Sequence, residues 1–414
     1  MKSNTKLFIA IIGALILGVL LGWYINAGMP ASDAAEFAKK IKLLGTIFIR
    51  MIQMIIAPLV FSTLVVGIAK MGDMKMVGRV GGKALGWFLT ASLTSLLLGM
   101  VLVNWLKPGV GIDRNMGNTD GAKDLLAKTG SFSLDEFVVH VVPKSLFEAM
   151  ATNEILQIVI FSIMFGIALA SLGDIAKPII KALDTLSHVI LKMVGYIMWV
   201  APFGVFGAVA AAIASYGLGI LGVYVNYFAA FLLGILLLWL LLITVGYIIL
   251  GNRLWTLLRR LGSPLLIAFS TTSSEAVFPK LTEELERFGC DPKIVSFTLP
   301  LGYSFNLDGS MMYMTFASLF IAQVYGIDMP IEKQILMLLV LMLTSKGVAG
   351  VPRASLIVVV ATCAMFGIPP EGIALILPID HFCDMFRSAT NVLGNALATT
   401  AVDKWERKTA GIKN

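Results

Sequence analysis

Five polar residues near the C-terminal end of the chain, Asp380, Asp384, Arg387, Asn391 and Asn395, follow one another at intervals of 4, 3, 4 and 4. In a helix those intervals put all five on one face. Their surroundings are apolar, and each charge held at the middle of a bilayer costs roughly 2.5–3.5 kcal/mol on insertion scales. A helix that only packs has no use for them. One buried Asp–Arg salt bridge tying two helices together would account for Asp384 and Arg387, but not for Asn391 and Asn395. The chemistry on offer is recognition. Arginine presents a planar donor fork suited to a carboxylate, and an aspartate one turn away suits an ammonium. The complementary solute is a small zwitterion with a second carboxylate, an acidic amino acid such as aspartate or glutamate.

Three further polar interruptions lie upstream in apolar sequence. Ser270-Thr271-Thr272-Ser273-Ser274-Glu275 and Ser345-Lys346-Gly347-Val348-Ala349-Gly350-Val351-Pro352 each sit at the centre of a segment that is no comfortable membrane helix. Non-helical backbone at membrane depth is tolerated only where protein buries it or water reaches it. Two such breaks in corresponding places mark a site between them, and their freed N–H groups and helix N-termini suit an anion. A pair of surface loops between shorter helices is the alternative. Between them, Tyr303-Ser304-Phe305-Asn306-Leu307-Asp308-Gly309-Ser310 interrupts another apolar helix. Released carbonyls and oxygen side chains there suit a small hard cation, or a carboxyl that shares a proton. A glycine-centred kink with a satisfied aspartate is the plainer alternative.

The elements that must position these residues follow from composition. The 414 residues are 58% hydrophobic and 14% charged, with mean hydropathy +0.88, whereas soluble domains average nearer a quarter charged. Apolar runs near 7–27, 46–69, 84–106, 153–171, 189–213 and 219–250 approach or exceed the ~20 residues a span needs. The first run imitates a signal peptide, with a basic start and small residues at Ala27, Ala31 and Ala34. Its length and the spans that follow predict an uncleaved first helix.

The net charge of +7 needs no nucleic acid, because basic loops on the cytoplasmic side are the ordinary cause. Lys2, Lys6, Lys70, Lys75, Arg79, Lys83, Arg253, Arg259, Arg260, Lys404, Arg407, Lys408 and Lys413 fit that side. Both termini then lie in the cytoplasm, provided that segments at about 255–290 and 335–370 enter and leave by one face as re-entrant hairpins. Lys39, Lys40 and Lys42 fall on the outer side against the trend, which reads as the interfacial start of a tilted second helix. The mixed-charge loop from Lys107 to about Thr152 reads as an outer connection, and Met51 and Met54 as lipid-facing or packing residues. Cys290, Cys363 and Cys383 lack the spacing for zinc or a redox pair. His140, His188 and His381 form no metalloprotease pair and no nucleophile elbow occurs, so an enzyme is not expected. A pure channel is disfavoured by two hairpins that must both close, although a side conductance is compatible with them.

On these motifs, in order, the chain resembles the dicarboxylate/amino acid:cation symporters, the glutamate-transporter family, over nearly its whole length. The motifs are the serine-rich tip Thr272–Glu275, the Asn306–Ser310 break, the second tip Gly347–Pro352, and Asp384-x-x-Arg387-x-x-x-Asn391. Tyr303–Ser310, Ser345-Lys346-Gly347 and Asn391–Ala398 are most similar to bacterial proton–glutamate/aspartate symporters. The resemblance implies an all-α polytopic fold of eight transmembrane helices plus two re-entrant hairpins, in a homotrimer of the bacterial inner membrane. It implies a scaffold of about 1–75 and 130–216, and a transport domain of about 76–110 and 217–408 that moves as an elevator.

For the solute, the resemblance implies Arg387 on the side-chain carboxylate and Asp384 on the amino group. Asn391 and Ser274 would take the main-chain carboxylate, with Ser273, Ser310 and Ser388 lining the site and the backbone near Val351 closing over it. Relatives that carry neutral amino acids lack the arginine, and C4-dicarboxylate carriers lack the aspartate. For coupling, Glu275, Asn306, Asp308, Asn395 and Thr90 are the candidates. Sodium-coupled members place oxygen ligands where this chain has Asn395, Val348, Ala91 and Trp87, so a proton is the expected co-transported ion. Glu275 is its expected carrier, ahead of Asp308 and Asp384. Met314 stands where mammalian members carry a glutamate. No cofactor is implied. A C4-dicarboxylate symporter and a sodium-coupled amino-acid symporter are the alternatives.

Overall fold

In a computed structural model of the chain, residues 2–71, 74–112, 139, 142–218, 224–345 and 354–409 are described. The described residues are overwhelmingly helical and contain no strand. With backbone hydrogen bonds closed inside each segment, this is one of the two architectures that hydrocarbon permits. Three long helices open the chain: α1 (Lys2–Gly28), α2 (Ala31–Met71) and α3 (Met74–Leu106). Next come a short α4 (Leu146–Ala151), α5 (Ile155–Leu172), α6 (Lys177–Met198), α7 (Ala201–Tyr216) and α8 (Val225–Leu250).

Among the described residues five stretches are long and apolar enough to cross a membrane: Ile9–Gly28, Ala31–Ala69, Lys75–Leu106, Ile155–Met198 and Val225–Leu250. Several boundaries differ from the apolar runs, among them that of α3, which starts at Met74 rather than near 84. The second helix starts at Ala31 rather than near 46. Its 41 residues are about 60 Å long at 1.5 Å per residue, twice the ~30 Å hydrocarbon core. The additional turns, bearing Lys39, Lys40 and Lys42, carry too much charge to register as apolar. The run 189–213 is two helices, α6 and α7, broken at Trp199–Val200. Pro202 occupies the first turn of α7, where its missing N–H costs nothing.

The polar interruptions fall at helix breaks. The first lies between α9 (Arg253–Thr271) and α10 (Phe278–Phe288), which pack on each other. The break at 306–307 separates α11 (Pro292–Phe305) from α12 (Asp308–Val324). The third lies between α13 (Ile331–Thr344) and α14 (Ala354–Met365), which also pack together; its tip, with Val348 and Val351, is outside the described residues. The last helix, α15 (Leu377–Thr409), is polar by composition yet buried almost throughout from Arg387 to Asp403. It achieves this by lying among α3, α8, α9, α11 and α12. α1 and α2 pack on α7, and α2 also meets α5, α6 and α11.

Candidate solute site

The stripe on α15 is real and buried. Asp380, Arg387, Ser388, Asn391 and Asn395 are each under 5% exposed, while the Asp384 side chain keeps 20% of its surface. Arg387 Nε donates to Asp384 Oδ1 at 2.6 Å, and Ser388 Oγ donates to the same oxygen at 3.2 Å. Arg387 Nη1 lies 3.4 Å from Asp380 Oδ1, which accepts from the Tyr313 hydroxyl at 2.6 Å. The guanidinium carbon stands 4.5 Å from the centre of the Tyr313 ring, close enough for cation–π attraction. The arginine is thus held by two carboxylates and an aromatic face, which answers the high cost of a lone buried charge. Asp384 is balanced by Arg387 itself.

One turn further on, Asn391 closes the break between α11 and α12. Its Oδ1 accepts from the backbone N–H groups of Gly309 at 2.9 Å and Ser310 at 3.2 Å, and its Nδ2 donates to Ser310 Oγ at 3.1 Å. These N–H groups belong to the first turn of α12, where a helix has no internal partners for them. Glycine is required on both sides of this contact. A Cβ on Gly309 would lie 2.5 Å from the Arg387 carbonyl oxygen, and one on Gly394 would lie 1.9 Å from Asp308 Oδ2.

At the first tip Thr272 turns the chain in the left-handed region at φ 52°. The hydroxyl of Ser273 accepts from the N–H of Ala276 at 3.2 Å, and a single 3-10 turn, Glu275–Val277, leads into α10. Thr272, Ser273, Ser274 and Glu275 line the same cavity as Ser310, Asp384, Arg387, Ser388 and Asn391. That cavity holds about 650 Å³, and Met314 and Ser345 also reach it. Its opposite wall comes from α2 and α7 and includes Lys39 and Lys42, while Lys40 points away and pairs with Glu36 at 2.7 Å. Lys39 and Lys42 therefore face this cavity.

The proposed coupling residues divide. Asn306, Asp308 and Asn395 are buried together, with Asn306 Nδ2 donating to Asp308 Oδ2 at 3.2 Å. Asn306 Oδ1 and both polar atoms of Asn395 have no hydrogen-bond partner, and a Cβ on Gly302 would come within 2.3 Å of Asn395 Oδ1. Buried amide oxygens left without a donor suit a cation or a hydrogen-bond donor. Thr90 is not among them. It is exposed, bonds its own helix at Gly86 O, and lies with Trp87 and Ala91 along a separate groove. On the face of α3 that reaches the break stand Phe88 and Ser92, both buried, with Ser92 Oγ donating to Phe305 O at 3.2 Å. The buried positions Ala84, Phe88, Ser92 and Leu96 recur every fourth residue, a spacing that identifies this face. Tyr313 and the role of Asp380 beside Arg387 were likewise not among the predicted site residues. Asp380 was visible in the stripe, but Tyr313 had no signal beyond being a polar-tipped aromatic seven residues after Asn306.

Residues 7–405 match the sodium:dicarboxylate symporter family. The chain is 42% identical to a C4-dicarboxylate transport protein of Laribacter hongkongensis over 98% of its length and 90% of the relative's. It is 39% identical to a proton/sodium-glutamate symport protein of Geobacillus stearothermophilus, over 95% of its length and 92% of the relative's. With a proton/glutamate-aspartate symporter of Escherichia coli the identity is 38%, over 98% and 94% of the two chains. A match across nearly the whole chain, joined to a helical membrane architecture with its polar breaks around one cavity, establishes that this chain belongs to the sodium:dicarboxylate symporter family, whose members are transporters and not enzymes.

Proposed function

We propose that the protein is a secondary active symporter that brings glutamate or aspartate into the cell together with protons. The observation that carries the reading is the Asp384–Arg387 pair, 2.6 Å apart at the wall of the cavity. A solute carboxylate entering the cavity takes the guanidinium by its fork and displaces Asp384 from it. The released Asp384 then receives the solute's ammonium, so one exchange of partners satisfies both ends of a zwitterion. A plain dicarboxylate would free Asp384 and leave it without a cation. The N–H groups of α12, presented through Asn391 and Ser310, and the hydroxyls of Ser273 and Ser274 suit the main-chain carboxylate. Lys39 and Lys42 favour entry of an anion.

A proton is the coupling ion in this reading, carried by Glu275 at the edge of the solute, with Asp308 and Asp384 as the other carboxyls in reach. Asn395 contributes no charge, so the cluster with Asn306 and Asp308 would give sodium a single carboxylate. Movement is of the elevator kind in a homotrimer of the bacterial inner membrane, with both termini in the cytoplasm and eight spans plus two hairpins. The transport domain (about 76–110 and 217–408) slides against a scaffold (about 1–75 and 130–216). This division is supported by the packing of α15 with α3, α8, α9, α11 and α12, by the packing of α1 and α2 on α7, and by a cavity lined from both groups.

A C4-dicarboxylate substrate is the second reading, favoured by the name of the 42% identical relative. The 38–39% identity to glutamate symporters separates the two by too little to decide a preference set by a few side chains. Competition decides. Uptake of labelled aspartate into vesicles should be blocked by micromolar unlabelled glutamate or aspartate and spared by equal succinate; stronger blockade by succinate would establish the second reading.

A further inference from the structure

The cavity that holds the solute site has two walls of unlike charge. On the α15 side stand Asp380, Asp384 and Arg387, with Glu275 of the first tip lining the same space. The facing wall comes from α2 and α7, and among the described residues its only charges are Lys39 and Lys42. Both lysines are exposed, and among the described residues neither side chain forms an ion pair or a hydrogen bond. The acids at the start of the same helix are engaged elsewhere. Glu36 pairs with Lys40 at 2.7 Å, and Asp33 accepts from the Ser32 hydroxyl at 3.0 Å. Exposed side chains without partners do little for stability, so replacing these lysines changes the cavity and leaves the fold intact.

The guanidinium that the solute must reach is closed to it at first. Arg387 is 3% exposed and is held by Asp384 at 2.6 Å and by Asp380 at 3.4 Å. An anion arriving from water meets two carboxylates around a cation that it cannot touch until Asp384 lets go. Its approach needs attraction from another quarter, and a place to wait. Lys39 and Lys42 supply both. Residues three apart on a helix have Cβ atoms about 5–6 Å apart, so the two ammonium groups can hold the two oxygens of one carboxylate. The cavity of about 650 Å³ falls in the range that takes drug-sized ligands. An amino-acid-sized solute therefore has room at the α2 wall before it crosses to Arg387.

We propose that Lys39 and Lys42 form a first station for the solute, binding one of its carboxylates on α2 before Arg387 exchanges Asp384 for it. The station depends on the cavity being the solute's path, and it serves an amino acid or a plain dicarboxylate alike. Initial uptake by the full chain in proteoliposomes tests it, with labelled aspartate, glutamate or succinate, whichever the wild type takes up. Choline chloride is raised from about 10 to about 150 mM, over which the screening length falls from about 30 to about 8 Å. Lys39→Gln combined with Lys42→Gln should lower kcat/KM about tenfold at the lower salt and leave kcat within about twofold, because charges at the rim of a site act on association. At the higher salt the loss should shrink to about twofold. Lys39→Arg combined with Lys42→Arg keeps the charge and should keep kcat/KM. Wild-type kcat/KM and salt dependence in the glutamine variant would overturn the station alone. So would a fall in kcat that salt does not change and arginine does not restore, which marks a structural role. Uptake of none of the three acids would overturn the solute reading of the cavity, and the station with it.

Discussion

The ring of Tyr313 lies 4.5 Å from the guanidinium carbon of Arg387, while its hydroxyl holds Asp380 at 2.6 Å. One side chain on α12 therefore fixes both the position of the arginine and the carboxylate behind it. Tyr313→Phe keeps the ring and removes the hydroxyl. Asp380 then lacks its neutral donor and draws the guanidinium back from the cavity. A hydrogen bond to a charged group is worth about 1.5–3 kcal/mol, so solute affinity should fall roughly 10–100-fold, measured by calorimetric titration. Tyr313→Leu should be worse. Unchanged affinity in Tyr313→Phe would mean that Asp380 is held adequately by other means.

Asp384→Asn separates zwitterions from plain diacids. The amide cannot neutralise an ammonium, and losing a charge-assisted bond of about 1.5–3 kcal/mol should cut aspartate or glutamate uptake at least tenfold. Succinate uptake should survive or improve, because the variant no longer leaves a carboxylate without a cation. Equal loss for both solutes in transport assays would assign Asp384 to the architecture of Arg387 rather than to recognition.

Gly394→Ala tests the close approach of α15 to α12. A methyl group cannot occupy a point 1.9 Å from Asp308 Oδ2, and forced overpacking typically costs about 1–3 kcal/mol. The midpoint of thermal unfolding in detergent should fall by several degrees, with a larger effect than Gly82→Ala, whose surroundings are empty. Equal midpoints for the two variants would contradict the packing described.

Asn395→Asp adds a charge to a cluster whose amide oxygens lack donors. A hard cation prefers carboxylate to amide oxygen, so solute binding should depend on sodium more steeply than in the wild type. Titrating sodium against solute affinity reads this directly. A variant indifferent to sodium would show that the missing charge is not what separates this cluster from a sodium site.

Much of the solute site was legible because charge in an apolar setting is conspicuous. The i, i+4 spacing from Asp380 to Asn395 announced one helix face, and the serine and glycine runs announced the breaks that meet it. Thr90 misled because a polar residue type was weighed without its face. Its hydroxyl serves its own helix, while Ser92 half a turn away turns inward. Tyr313 was silent, because nothing local distinguishes a tyrosine whose hydroxyl holds a buried carboxylate from one that packs. The break at Trp199–Val200 and the early start of α2 were obscured for a related reason: hydropathy registers burial in lipid and says little about where a helix begins. The contact of Asn391 with the N-terminus of α12 is a tertiary pairing across 81–82 residues, which spacing cannot reveal.

The central claim is proton-coupled uptake of an acidic amino acid, and accumulation in sodium-free proteoliposomes tests it most directly. Labelled glutamate or aspartate should concentrate inside when the exterior is acidic, and should stop doing so when an ionophore collapses the proton gradient. Glu275→Gln should keep exchange of internal for external solute while losing net accumulation. An absolute requirement for sodium, with no response to the proton gradient, would contradict the account.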